Sequence, residues 1–204
     1  MDIQCVKIVP PVFGNALFFS VLNQADLPLQ WEMGKRFDKH LKVNRYKILS
    51  ANGVQVLSIP LESPKNELPF KDVKIAYHEN WMAKHLHAIR SAYGNSPYFE
   101  FYYEDIVSIF DRKWMYLLDL NIATIQYIMD KIKIEINVVE NREFLRTIEF
   151  NEQEFILGEL RPYLQVWTDK HPFVGNLSIL DYLFCLGKDL KTYLPNFKLL
   201  NELE

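Results

Sequence analysis

His85 is the residue of this sequence best suited to proton transfer, because an imidazole exchanges its proton near neutral pH. It shares the apolar face of a predicted helix with Trp81 and Ile89, whereas His87 points to the other side. The two histidines cannot share a metal ion, and no HExxH or CxxC pattern occurs, so we predict no metal site and no cofactor. Two roles stay open for His85: a catalytic acid or base in a pocket, or a core histidine bonded to a backbone carbonyl or a tyrosine.

Lys39, Asn44 and Arg45 form a second candidate group, suited to binding an anion. The planar guanidinium of Arg45 can hold a carboxylate or a phosphate through two hydrogen bonds. In an extended chain Lys39 and Arg45 would lie roughly 17–21 Å apart, so they reach one ligand only if the chain turns between them. The alternative is that these residues form a solvent-exposed basic edge and bind no ligand. Trp81 and Tyr93 are candidate walls of a substrate pocket, with an ordinary place in the core as the alternative.

Three further polar residues, Asp119, Asn121 and Asp181, are interpreted as helix-capping residues rather than as catalytic groups. The sequence contains no phosphate-binding GxxxxGK[ST] loop, no GxGxxG and no GxSxG nucleophile motif. The reaction, if there is one, therefore cannot be assigned from a standard motif.

The elements that must position these residues are a small set of N-terminal strands and several long helices. Alternating apolar residues predict strands at 4–9, 29–32, 73–77 and 134–138, and a hairpin at 44–60 around the Ala51-Asn52-Gly53 turn. Helical spacing predicts helices at 15–24, 81–92, 117–132 and 177–190, and residues 62–70 and 141–159 are predicted loops. We predict an α/β fold, with a mixed α+β arrangement as the alternative, in one layered domain over residues 1–204.

Composition narrows the choice of partners. The 204 residues carry a net charge of -3, which gives no general attraction to nucleic acid despite the interrupted basic run 35–47. No signal peptide and no apolar stretch of membrane-spanning length is present, so we expect a cytoplasmic protein without membrane insertion. Cys5 and Cys185 are predicted to be buried free thiols. The sequence is compatible with either a monomer or a homo-oligomer.

The run HENWMAKHLHAIRSAYGNSPYFEFY at 78–102 resembles the central block of the WbqC-like family, in its shorter Bacteroidetes-type version. Other pieces occur in the same order: FDK at 37–39, NRYKI at 44–48, ANGVQVLSIP at 51–60, LDLN at 118–121, PYLQV at 162–166 and NLSILDYLF at 176–184. The chain departs from longer relatives at its start. Those open with histidine-glutamine-proline-asparagine-tyrosine-leucine-proline-tryptophan, where this chain has IVPPVFGN at 8–15.

The resemblance implies a place in the synthesis of O-antigen or another surface polysaccharide. Our leading hypothesis is a cytoplasmic transferase that moves an acyl or aminoacyl group onto a sugar-linked small molecule. The residues expected to hold the substrate are Lys39, Asn44, Arg45, Trp81 and Tyr93, and His85 is expected to move the proton. The alternative is a non-catalytic binding or scaffold protein of the same pathway.

Overall fold

A computed structural model describes residues 5–24, 28–62, 68–139, 147–149, 155–157 and 159–199. The helices of this part are α1 Ala16–Gln24, α2 Trp81–Tyr93, α3 Phe99–Asp111, α4 Leu117–Ile132 and α5 Ile179–Leu186. Its strands are β1 Cys5–Ile8, β2 Leu29–Trp31, β3 Arg45–Ser50, β4 Gly53–Ser58, β5 Thr147–Glu149, β6 Phe155–Leu157 and β7 Phe197–Leu199. The predicted mixture of helices and strands is confirmed. No helix in the described ranges is both long enough and apolar enough to cross a bilayer.

The strands form three small sheets. Strand β1 lies between β2 and β5 and is parallel to both, and β3 and β4 form an antiparallel hairpin. Strands β6 and β7, far apart in the sequence, form a separate antiparallel pair. In the β3–β4 hairpin Arg45 pairs with Ser58, and the turn ends at Gly53, whose φ of 98° suits glycine. The predicted hairpin is confirmed.

Helix α2 begins and ends where the sequence predicts. The Asn80 side chain caps it by accepting a hydrogen bond from the Ala83 amide, and Gly94 follows its last turn. Its buried face carries Trp81, His85 and Ile89, at the helical spacing that places them in one row. Helix α4 also has the predicted bounds, 117–132.

Two apolar clusters make up the core of the described part of the chain. One packs the β3–β4 hairpin against α2 and α3, and the other packs β1 and α1 against the later turns of α4 and against α5. Helices α4 and α5 contribute side chains to both clusters, so each helix joins the two halves of the core. Cys5 and Cys185 are buried free thiols, as predicted.

Two predicted strands do not form. Residues 73–77 are extended, but Lys74 and Ile75 each make one isolated bridge, to Tyr116 and to Leu61. Tyr116 immediately precedes helix α4, and Leu61 lies in a loop. Neither bridge therefore extends into a β-ladder. Residues 134–138 likewise make a single bridge, between Val138 and Leu29.

The C-terminal half differs further from the sequence-based prediction. The predicted loop 141–159 contains β5 and β6, and its other residues, except Glu159, lie outside the described ranges. The last predicted helix ends at Leu186, because Gly187 adopts a positive φ of 60° and a 3₁₀ segment, Gly187–Tyr193, follows. Strand β7 was not predicted.

Candidate functional site

A cleft of about 390 Å³ opens where three segments of the chain meet. Its walls come from residues 9–15, 40–47 and 176–178, together with Val56 of β4. Lys42, Arg45 and Lys47 line it, and none of the described lining residues is acidic. We therefore call this feature the cationic cleft.

The positive side chains of the cationic cleft have no carboxylate partner in the part of the chain that the structure describes. Within the described ranges, Lys42, Arg45 and Lys47 are exposed and form no ion pair. Because side chains alternate along a strand, Arg45 and Lys47 share the outer face of β3, while Tyr46 between them is buried. The hairpin thus presents two adjacent cations to the cleft.

The chain turns between Lys39 and Arg45, as a shared ligand site requires. A 3₁₀ turn, Lys39–Leu41, is capped by the Asp38 side chain, which accepts from the His40 amide at 2.8 Å. Lys42 then takes a left-handed conformation, and the Arg45 amide donates to the Lys42 carbonyl at 2.9 Å. The turn brings His40 and Lys42 into the lining of the cleft, whereas Lys39 itself is not among the lining residues.

Two helices begin at the cationic cleft. Helix α1 starts after Asn15, whose side chain accepts from the Phe18 amide at 2.9 Å, and α5 starts after Ser178, whose hydroxyl accepts from the Leu180 amide at 3.3 Å. Asn15 and Ser178 both line the cleft. The positive ends of two helix dipoles therefore add to the side-chain charges there.

Helix α4 holds two walls of the cleft in place. The Nδ2 atom of buried Asn121 donates to the carbonyl oxygens of Pro10, at 2.8 Å, and Val43, at 3.0 Å. One turn on, the hydroxyl of Thr124 accepts from the Phe13 amide at 3.1 Å. Neither Asp119 nor Asn121 caps a helix: the residue before α4 is Tyr116, which makes no side-chain cap.

Three of the five non-glycine residues with a positive φ in the described ranges lie at the cleft. Phe13, Lys42 and Asn176 have positive φ angles of 46°, 53° and 52°, a conformation that side-chain-bearing residues adopt at a cost. Lys42 and Asn176 line the cleft, and Phe13 lies between two lining residues. Hydrogen bonds at Phe13 and Lys42 help to keep these two residues in place.

His85 lies behind the hairpin rather than in the cationic cleft. Only 3% of its surface is exposed, and Tyr46, Trp81 and Phe110 meet its ring edge to face. The Tyr46 hydroxyl is 2.9 Å from its Nδ1, and the Ser58 carbonyl also hydrogen-bonds the ring. Burial lowers the pKa of His85 from 6.5 to about 4, so the ring is neutral at pH 7.

The other residues proposed from the sequence are separated from one another. Arg45 lines the cleft, whereas Asn44 closes the base of the hairpin by donating from its side chain to the Ile59 carbonyl at 2.8 Å. Trp81 and Tyr93 are buried at 4% and 0% exposure, and neither is among the lining residues of the cleft. The lining of the cleft therefore does not support the prediction that these two aromatic residues form walls of a substrate pocket.

Asp181 belongs to a second polar cluster, inside the core. Its Oδ2 accepts hydrogen bonds from the Tyr163 hydroxyl at 2.5 Å and from the Gln165 side chain at 2.8 Å. Burial raises the pKa of this carboxyl group. The cap of α5 is Ser178, so the capping role predicted for Asp181 is wrong.

Sequence reasoning missed several lining residues of the cleft, among them His40, Lys42, Lys47 and Ser178. One signal was present: Arg45 and Lys47 are two apart in a predicted strand and must share a face. The contribution of residues 176–178 has no sequence signal, because it depends on how this segment packs against residues 9–15.

Comparison with known proteins gives one match. The model of a family described as the WbqC-like protein family matches residues 15–158, which is more than half of the chain. The match contains Lys42, Arg45, Lys47 and His85, and it ends before residues 176–178. No curated protein and no solved structure matches the chain.

Proposed function

The chain belongs to the WbqC-like protein family, and on that premise we propose that it acts in the synthesis of O-antigen or another surface polysaccharide. In this proposal it is a cytoplasmic transferase, and the cationic cleft binds an anionic, sugar-linked small molecule. The observation that carries the proposal is the lining of the cleft: three unpaired cations and no carboxylate in its described part.

Arg45 is the main anion-binding group of this proposal. Its guanidinium can make two parallel hydrogen bonds to a carboxylate or a phosphate, and such charge-assisted bonds are stronger than neutral ones. Lys42 and Lys47 flank it on the turn and on the strand. The side chains of Asn15, Asn176 and Ser178, near the helix starts, complete a polar lining.

The proton-transfer role moves from His85 to His40 in this proposal, because His40 lines the cleft and His85 does not. For acyl transfer to an amino sugar, the amine nitrogen attacks the carbonyl carbon of the donor. The new carbon–nitrogen bond forms, the bond to the leaving group breaks, and His40 accepts the proton that the amine loses. His85 then acts as a positioning residue, because its contact with Tyr46 fixes the strand that carries Arg45.

The burial of His85 favours a second candidate function, a non-catalytic binding protein of the same pathway. A histidine that is 3% exposed and bonded to Tyr46 does not reach a ligand in the cleft. The cationic cleft would then hold its sugar-linked ligand without changing it. The two candidates share the ligand and differ in whether a product forms.

A thermal-shift screen of nucleotide-sugars, sugar acids and acyl donors tests whether either candidate function is right, because both require a sugar-linked ligand in the cleft. We expect at least one sugar ligand to stabilise the protein, and Arg45→Ala to abolish the shift. Lys188→Ala is the matched control, because it removes an exposed positive charge outside the cleft. If no sugar ligand produces an Arg45-dependent shift, the proposed function is wrong.

Product analysis then separates the two candidates. The stabilising ligand is incubated with acyl and aminoacyl donors, and the mixture is examined by mass spectrometry. A product that forms with the unaltered protein and not with His40→Asn supports the transferase. Binding without product from any donor supports the non-catalytic protein.

A further inference from the structure

We propose that the group held in the cationic cleft is a diphosphate, the chemistry shared by nucleoside diphosphate sugars and lipid diphosphate sugars. This inference rests on the proposed function and specifies the substrate class of the same site. It follows from the number of cations, their spacing and the absence of acidic partners in the described lining.

The number of cations exceeds what one carboxylate needs. Arg45 and Lys47 lie on one face of β3, about 7 Å apart along the strand. Lys42 is brought beside them by the turn that ends in the Arg45–Lys42 backbone hydrogen bond. Three like charges at this spacing repel one another, and a ligand with several negative charges relieves this repulsion more than a single carboxylate does. A diphosphate carries several negative charges on two adjacent groups and compensates the whole set.

The spacing assigns a role to each cation. The planar fork of Arg45 suits bidentate binding of one phosphate group. Lys42 and Lys47, on either side of it, are compact cations that can reach the other phosphate and the bridging region. The N-terminal ends of α1 and α5 face the same cleft and favour the same sign of charge.

The described lining also lacks the ligands that would hold a divalent cation beside the diphosphate. Magnesium is bound by proteins chiefly through carboxylates, and the cleft has none among its described residues. Neutralisation of the diphosphate therefore falls on Lys42, Arg45 and Lys47 themselves. We expect binding to persist in EDTA.

Calorimetric titration in EDTA tests the inference with inorganic pyrophosphate, inorganic phosphate and acetate as probes. We expect pyrophosphate to bind roughly tenfold or more tightly than phosphate, because it adds at least one charge-assisted hydrogen bond. Acetate should show no measurable binding. Equal affinity for pyrophosphate and phosphate, or for pyrophosphate and acetate, would overturn the proposal, as would the absence of pyrophosphate binding in EDTA.

Variants locate the pyrophosphate in the cleft. Arg45→Lys keeps the charge and loses the fork, and Lys47→Ala removes one charge, so each should weaken pyrophosphate binding by roughly tenfold. Lys42→Asn is used because asparagine tolerates the positive φ at this position. Lys188→Ala should leave the affinity unchanged. If Lys188→Ala weakens binding as much as the cleft variants do, pyrophosphate binds nonspecifically and the inference fails.

Two larger probes identify the source of the diphosphate. Uridine diphosphate and geranyl diphosphate are titrated in parallel, and tighter binding of one shows whether a nucleoside or a lipid carries it. The outcomes also separate this inference from the proposed function. Arg45-dependent binding of a sugar acid without pyrophosphate binding would refute the diphosphate alone. Specific pyrophosphate binding without any sugar ligand would refute the proposed function alone.

Discussion

The hydroxyl of Tyr46 lies 2.9 Å from Nδ1 of His85, and this bond ties strand β3 to helix α2 inside the core. Burial raises the pKa of Tyr46 well above 10, so its hydroxyl keeps its proton. Burial also keeps His85 neutral at pH 7, with a pKa of about 4. The neighbouring residues of β3, Arg45 and Lys47, line the cationic cleft together with Tyr46. The buried pair therefore supports the charged surface in front of it.

His85 should make the stability of the fold depend on pH in the acid range. Its pKa is lowered from 6.5 to about 4 in the folded protein, so folding disfavours the protonated ring. The stabilisation is complete above pH 6.5 and is lost as the pH falls toward 4, a total of about 3 kcal/mol. Urea unfolding between pH 4 and 7.5 measures this loss of stability. The His85→Asn variant should lose less stability over the same range.

The control for this prediction is His87→Asn, because His87 lies on the same helix and outside its buried face. It should reproduce the pH dependence of the unaltered protein. If His85→Asn loses as much stability as the unaltered protein between pH 6.5 and 4, His85 is not the group responsible.

The sequence predicts the helix that carries His85 and cannot predict the partner. The apolar face of this helix is a local pattern, and the structure confirms it. Tyr46 is 39 residues away, and a contact at that separation depends on how the hairpin packs against α2. The sequence allows a buried histidine bonded to a tyrosine, and only the packing places Tyr46 beside it.

Asp181 should affect stability in the opposite direction. Burial raises its pKa in the folded protein, so folding favours the protonated carboxyl group. The resulting stabilisation is present below the ordinary pKa of an aspartate and is lost as the pH rises through the raised value. Asp181→Asn cannot ionise, and its amide oxygen can still accept from Tyr163 and Gln165. The variant should therefore gain stability relative to the unaltered protein as the pH rises.

Unfolding midpoints in urea from pH 4 to 8 test this prediction, with Asp111→Asn as the control at an exposed position. A constant difference between Asp181→Asn and the unaltered protein across this range would contradict it. The control should show no such trend.

The strands of the C-terminal half show where local patterns fail. Strands β5 and β6 are three residues long and lie in a stretch rich in glutamate, which gives no alternation to detect. Strand β5 exists because β1 offers a parallel edge more than 130 residues earlier in the chain. In contrast, residues 134–138 alternate clearly and form only one bridge. Pairing partners, rather than alternation alone, decide which segments become strands.

Asn121 should be essential for the shape of the cationic cleft. Its amide nitrogen donates to Pro10 and Val43, which belong to two different walls. Asn121→Ala removes both hydrogen bonds and leaves the Pro10 carbonyl without this donor, at an expected cost of about 1–3 kcal/mol. Urea unfolding measures this loss. Pyrophosphate affinity at a temperature where the variant remains folded measures the effect on the cleft, and we expect it to fall.

Asn52→Ala serves as the comparison, because Asn52 is exposed in the hairpin turn. Asn52→Ala should lower the free energy of unfolding and the pyrophosphate affinity less than Asn121→Ala does. Unchanged stability and affinity in Asn121→Ala would show that the two walls hold their positions without this amide.

Gly14 should tolerate no side chain, because it packs against two aromatic rings of helix α1. A Cβ atom at Gly14 would lie 2.6 Å from Cδ1 of Phe18 and 3.1 Å from Cε2 of Phe19. Both rings are fully buried, so neither can move aside without disturbing the core. Gly14→Ala should therefore destabilise the protein by about 1–3 kcal/mol, the usual cost of overpacking.

Gly34→Ala is the matched control, because its nearest neighbour would be 3.8 Å away. Thermal unfolding of the two variants compares them, and equal melting temperatures would mean that the contact at Gly14 relaxes freely.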